Sequence, residues 1–393
     1  MKTIGIVAEW NPFHNGHQHL LDVIRANEPE ACIISIMSGA FCQRGEVACF
    51  DKWQRTEMAL AAGVDVVLEL PQCYATASLE AFAQGGISGL LAFYPLDALY
   101  CGSESGDSAS LEAQATYLRT HSTAYNSFIH QATNDGTSYA EASQLFLRQA
   151  GFPADKNTPN DRLALHYRLA LPPSIPMTLV TRHVAHHGNT ASDHFMSASS
   201  IRQRLPQALE DIAAFVPASS YTRMQEILAT GWQPANLVPL FNSLQVLGCQ
   251  QNATALRQQL RLHDGWEHRL LAAIQGAEDF EQLLDLAQTR HYSRSRIRRL
   301  ILSLLSPLTQ APVTPAYCRV LGFSCRGQAL LRQREGQCPL LLNTAKDARH
   351  LSPAGRAMLQ GDIQRQNLAD VLTHGAFKNR DFLERPRIYK EEA

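Results

Sequence analysis

The chain contains no apolar run that approaches the ~20 residues needed to cross a bilayer, and no membrane association is expected. Its amino terminus carries no basic flank, apolar stretch or small-residue cleavage site, so no secretory signal is expected either. Paired cysteines are missing as well: the nine thiols, at 32, 42, 49, 73, 101, 249, 318, 325 and 338, include no CxxC spacing and are odd in number. That argues against a metal site and against a disulfide framework. Reduced, mostly buried thiols in a cytoplasmic protein are the expectation. Internal repeats and low-complexity tracts are also absent.

What is present is an ordinary globular composition, 45% hydrophobic, in a chain of 393 residues that is too long for one core. Two domains are therefore expected, 1–205 and 206–393. A net charge of −1 hides an asymmetry between them. Residues 1–205 hold 13 Lys and Arg against 19 Asp and Glu, net −6; residues 206–393 hold 22 against 17, net +5. A basic second half is compatible with a nucleic-acid contact without requiring one.

The most informative stretch is the first turn. Thr3-Ile4-Gly5-Ile6-Val7-Ala8 reads as a buried strand, and Leu20, Leu21, Val23 and Ile24 have helical periodicity. Between them lies Glu9-Trp10-Asn11-Pro12-Phe13-His14-Asn15-Gly16-His17. A strand-to-helix turn at the carboxyl edge of a parallel sheet is where α/β proteins place phosphates. Gly16 allows close backbone approach, and His14 and His17, three residues apart, can direct both imidazoles at one anion. His-x-Gly-His here resembles the signature of HIGH-type nucleotidyltransferases, in which two histidines contact the ATP phosphates.

Further strands are expected at Ala31–Met37, Val64–Pro71, Leu96–Ser103 and Pro176–Val184. Helices are expected over Trp53–Ala62, over Ala77–Leu91 and in two stretches within Leu111–Arg148. The glycines at 85, 86 and 89 point to close packing or a ligand contact. This alternation predicts a doubly wound, parallel, five-stranded Rossmann-like sheet. After the loop His186-His187-Gly188-Asn189, the run Ser197-Ala198-Ser199-Ser200-Ile201-Arg202 reads as a hydroxyl-capped helix start with an arginine one turn on. Ser197, Ser199 and Arg202 match a second phosphate signature of HIGH-type enzymes, with Ala198 where serine is common. Beyond Leu205 the pattern turns helical. The segment from Thr289 to Leu300 carries Arg290, Arg294, Arg296, Arg298 and Arg299 around Tyr292 with no acid, which suits an RNA backbone and a splayed base. The remainder, Arg319 through Phe382, reads as mixed helix and loop.

The motifs together resemble the bacterial tRNA(Met) cytidine acetate ligase family. They comprise residues 5–17, Met37-Ser38-Gly39 with Gln43-Arg44-Gly45, Asp51-Lys52, Glu69-Leu70-Pro71, Tyr100-Cys101-Gly102, Pro159-Asn160, the serine–arginine run and Arg319-Val320-Leu321-Gly322-Phe323. Trp10 and Ala40 depart from the usual tyrosine and asparagine. The resemblance implies a HIGH nucleotidyltransferase domain followed by a mainly α-helical tRNA-binding domain. The implied enzyme uses ATP, with Mg²⁺, to convert acetate to acetyl-adenylate. It then acetylates N4 of the wobble cytidine (position 34) of elongator tRNA(Met), with no acetyl-CoA and no obligate protein partner.

Carried over residue by residue, the implied ATP contacts are Val7, Ala8, Glu9, Trp10, Asn11, Pro12, Phe13, His14, Asn15, Gly16, His17, Gln18, His19 and Leu20, with Gly102, Asn160 and Arg182. His14, His17, Ser199 and Arg202 are the expected catalytic set. Asn160 reads equally well as the cap of the helix after it. Other HIGH-type enzymes, acting on a small molecule or a carrier protein, share the first half but do not need the basic helical second half. A non-catalytic RNA-binding protein would not need all four catalytic residues.

Overall fold

A computed structural model describes residues 1–135, 137–153, 158–182, 194–262, 265–334 and 338–390. The expected loop 186–189 lies outside the described residues. Strands β1 (Thr3–Ala8), β2 (Cys32–Ser38), β3 (Val66–Leu70), β4 (Ala98–Ser103) and β5 (Met177–Thr181) are parallel and lie in the order β5-β4-β1-β2-β3. β2 and β3 are buried along their whole length, which is why their sequences are continuous apolar runs rather than alternations. The strand order reverses around β1, which pairs with β2 on one side and β4 on the other. The crevice beyond the carboxyl ends of β1 and β4 is therefore the topological switch point of the sheet.

The helix Leu79–Phe93 crosses one face of the sheet, and its glycines make that possible. A Cβ at Gly85, Gly86 or Gly89 would overlap Tyr74, Val7 or Ile36 respectively, so close packing is their role. The expected pair of helices within Leu111–Arg148 is corrected to three: Ser108–Thr120, Ser122–Asn134 and Tyr139–Gln149. Residues 210–215, in the stretch Leu209–Phe215 whose periodicity predicts an α-helix, form a 3₁₀ helix instead.

Beyond it, helices Ala218–Ala229, Val238–Gln250, Ala253–Leu260, Trp266–Gly276, Phe280–Ala287 and Arg294–Leu305 fall where helical periodicity predicts them, at 221–229, 237–247, 253–262, 269–274 and 280–286 and in the run ending at Leu305. Leu244, Leu270, Ile274, Leu283 and Ile301 form their core, and Phe41 from the loop after β2 inserts into it. The mixed helix-and-loop reading of Arg319–Phe382 is corrected as well. Cys318–Ser324 is a sixth strand, β6, antiparallel to β3, and β7 (Leu340–Leu341) and β8 (Arg387–Tyr389) pair with it. The second half of the chain thus returns to cover the open edge of the first half's sheet.

Candidate active site

At the end of β1 the chain turns sharply. Trp10 takes φ 44° while its ring is buried against Phe13, an uncommon left-handed conformation for a bulky residue. His14 then caps the helix Asn15–Asn27. Its Nδ1 accepts from the Gly16 amide at 3.0 Å, and His17 Nδ1 accepts from the His14 amide at 3.3 Å. A Cβ at Gly16 would lie 2.9 Å from the His14 ring, so glycine is what lets that ring fold back. The two imidazoles stack with centroids 3.8 Å apart.

This arrangement fixes the protonation of both rings. Burial, with Arg182 and then Arg202 adding repulsion, depresses His14 to about 3; burial, His14 and Arg182 hold His17 well below its usual range. Both are neutral at pH 7. Since each Nδ1 is occupied as an acceptor, each ring carries its hydrogen on Nε2. The result is a pair of parallel N–H donors.

The serine–arginine run comes to the same place. Ser197 caps the helix Ala198–Arg204 through the Ser200 amide at 3.2 Å, and Ser199 Oγ lies 3.2 Å from Ser197 Oγ. Arg202 donates to the Asn11 carbonyl at 2.8 Å and pairs with Glu46 at 3.3 Å. Asn15 donates to the carbonyls of His194 and Ala214 at 3.0 and 2.9 Å, fastening the histidine helix to the segment around Ser197. Two motifs about 180 residues apart in sequence thus line one cavity of about 1000 Å³ at the switch point.

Val7, Ala8, Glu9, Trp10, Asn11, Gly16, His19 and Leu20 line the cavity with the histidines, as do Gly102, Asn160 and Arg182. Pro12, Phe13, Asn15 and Gln18 do not line it: Phe13 is wholly buried beneath Trp10 and His17, and Gln18 donates to Asp22. Gly102 makes room for Arg182, whose Cδ and Cγ would lie 3.2 and 3.3 Å from a Cβ there. Burial lowers the Arg182 pKa, with Glu104 opposing. The capping reading of Asn160 is corrected. Thr158 holds the cap position of the helix Pro159–Ala170, and the Asn160 amide donates to Glu104 at 2.5 Å.

The five arginines of residues 289–300 separate into two groups. Arg296 and Arg299 line the cavity; Arg296 lies over the Tyr292 ring, and Arg299 donates to the Gln43 carbonyl at 3.2 Å. Burial, with Arg296 nearby, lowers Arg299 to about 10. Arg290, Arg294 and Arg298 lie off the cavity wall and pair with acids from other elements: Glu141, then Glu281 with Asp285, then Glu46 with Glu281. Tyr292 is buried and stacked on Trp266 at 4.0 Å, so the aromatic expected for a splayed base is part of the core.

Sequence reading assigned no role to Arg44 or Arg162, yet both line the cavity. Arg162 Nε is buried and has no hydrogen-bond partner among the described residues. The available signals were the Gln43-Arg44 motif beside β2 and the position of Arg162 half a turn beyond Asn160. Among the described residues, no cluster of three or more His, Cys, Asp or Glu is placed to hold a metal ion, and no helix is long and apolar enough to cross a membrane.

The HIGH Nucleotidyl Transferase family model matches residues 1–384. The tRNA(Met) cytidine acetate ligase of Anoxybacillus flavithermus is 34% identical over 370 residues, covering 89% of this chain and 91% of the relative. That of Listeria welshimeri is 34% identical over 377 residues, covering 94% of each. The crystal structure of Thermotoga maritima TmcAL bound with alpha-thio ATP superposes with a TM-score of 0.88 at 26% identity, over 99% of this chain and 100% of that one. Its apo form gives 0.89.

Proposed function

The chain belongs to the HIGH nucleotidyl transferase family and, within it, groups with the tRNA(Met) cytidine acetate ligases; we propose that it is itself an ATP-dependent acetate ligase acting on elongator tRNA(Met). Residues 1–205 would activate acetate, and residues 206–393 would present the tRNA. In the first step an acetate oxygen attacks the α-phosphorus of ATP, forming acetyl-adenylate as the bond to pyrophosphate breaks. This chemistry needs placement and charge stabilisation rather than a protein nucleophile. The Nε2–H groups of His14 and His17, the Ser199 hydroxyl and the Arg202 guanidinium are the donors for the charge that develops. Donors of this kind contribute roughly 2.7–4 kcal/mol each.

Neutral imidazoles suit the task, since their hydrogens are already aimed and no titration near pH 7 removes them. No cluster of acids among the described residues is placed to hold Mg²⁺ by itself. The ion would arrive on the triphosphate, the usual partner of a cation that keeps most of its waters. In the second step the acetyl group passes to N4 of the wobble cytidine, which has to leave its stack to reach the cavity. Arg296 and Arg299, which line the cavity, are the arginines we assign to that nucleotide's backbone, with Arg290, Arg294 and Arg298 as further contacts to the tRNA.

The observation that carries this reading is the convergence of His14, His17, Ser199 and Arg202 on one cavity. Incubation with ATP, labelled acetate and bulk tRNA, followed by nucleoside analysis, is expected to place the label in N4-acetylcytidine. Label confined to a small adenylate would move the assignment to another HIGH-type ligase. His17→Ala is expected to abolish acetate-dependent pyrophosphate release; release by a folded variant at the wild-type rate would remove the pair from the chemistry.

A further inference from the structure

The acyl-transfer step leaves one proton without an acceptor. Resting on the ligase reading above, we propose that the Glu9 carboxylate is the general base that takes the proton from the cytidine N4 amine. N4 attacks the acyl carbon of acetyl-adenylate and an N–C bond forms. The bond from that carbon to the phosphate oxygen breaks, and AMP departs with the electron pair. One N4 proton passes to Glu9.

Besides Glu9 the cavity is lined by Glu46, Glu80, two cysteines, two tyrosines and five histidines; of these, His19 packs its ring against Phe195 and His291 lies on the arginine segment rather than at the end of β1. His14 and His17 have each spent Nδ1 on a backbone amide, and their Nε2 atoms already carry hydrogens. Glu46 is paired with Arg202 and Arg298. Glu80 is exposed and takes the Tyr139 hydroxyl at 3.5 Å. His166, depressed to about 4 by burial and by Arg162, is a weak base. The Cys42 thiol is held protonated by burial.

Glu9 differs on each point. It follows the carboxyl end of β1, lines the cavity with both motifs, and stands directly before the strained Trp10. Its Oε1 accepts the Gln43 amide at 2.6 Å, and its own carbonyl accepts Arg55 Nη1 at 2.6 Å, so both side chain and peptide are fixed. No ion pair within 4.0 Å consumes the second oxygen among the described residues. Burial raises its pKa, which strengthens the carboxylate as a base; the Gln43 amide, Arg55, Arg202 and Arg44 restrain that rise. Cys42 and Tyr167 are the other titratable groups facing it.

The test compares Glu9→Gln, which keeps an acceptor for the Gln43 amide, with Glu9→Asp, which keeps a carboxylate. Two rates are measured for each folded variant: acetate-dependent ATP–pyrophosphate exchange, and single-turnover transfer from enzyme-bound acetyl-adenylate to tRNA. In E9Q, transfer is expected to fall by about a hundredfold more than exchange. Wild-type transfer is expected to rise with pH through an inflection above the ordinary carboxylate range, retained in E9D and absent in E9Q. Equal losses in both rates, or wild-type transfer by E9Q, overturns the assignment of Glu9 alone. A wild-type protein that exchanges pyrophosphate yet acetylates no tRNA overturns the ligase reading as well.

Discussion

At the scale of single residues, the histidine pair shows how backbone geometry determines chemistry. Each imidazole is buried, so each prefers to be neutral in the folded chain, His14 at about 3 against an ordinary 6.5. Between those values the unfolded chain binds more protons than the folded one. Stability therefore rises with pH through that window, is fully present above about 6.5, and is lost as pH falls toward 3. Urea unfolding at pH 5 and 7 is expected to show this dependence, with a limiting slope of about 1.4 kcal/mol per pH unit for each imidazole, reduced in His14→Gln. The pH profile of kcat for pyrophosphate exchange, at saturating substrates so that the free phosphates' own ionisations drop out, is expected to show no inflection near 6.5; a histidine-like acid limb there would contradict the neutral pair. His-x-Gly-His was legible in the sequence because its partners are local: the cap, the glycine and both rings lie within four residues. Tyr292 was misjudged for the opposite reason, since its stacking partner Trp266 lies 26 positions away and no local pattern announces it.

At the scale of elements, the return of β6 to the sheet rests on a buried ionic knot. Lys52 Nζ lies 2.6 Å from Glu69 and 2.7 Å from Asp381, and Arg319 lies 3.2 Å from Glu69 and 2.6 Å from Asp381. All four side chains are at most 5% exposed. Two cations and two carboxylates balance, so removing one strands an uncompensated charge away from water. Asp381→Asn or Lys52→Met is expected to cost about 3–5 kcal/mol in urea unfolding, and the double variant less than the sum. Asp51-Lys52, Glu69 and Arg319 stood out in the sequence without a role. Their role depends on four segments meeting, which spacing along one chain does not encode. β6 itself was hard to read because Gly322 interrupts it and Val320 is its one β-branched residue.

For the whole molecule, the opposed charges of the two halves reach the arginine segment only in part, since Arg290, Arg294 and Arg298 are offset by acids from distant segments. Arg296→Ala and Arg299→Ala are each expected to weaken tRNA binding and to reduce the salt dependence of log K by about 0.7–0.9, with Arg290→Ala having the smaller effect. Filter binding across a salt series reads this directly. The parallel sheet and its switch point were legible because strand and helix periods alternate plainly over the first 205 residues. The sheet's closure was not, because it is supplied from residues 318–389. That closure bears on how the protein is made. Lys52, Glu69 and Arg319 are all made before Asp381, so until Asp381 joins the fold the two cations share Glu69 alone. A chain cut short before Asp381 is expected to keep two cations against one carboxylate in its interior, an imbalance that opposes closure of the sheet.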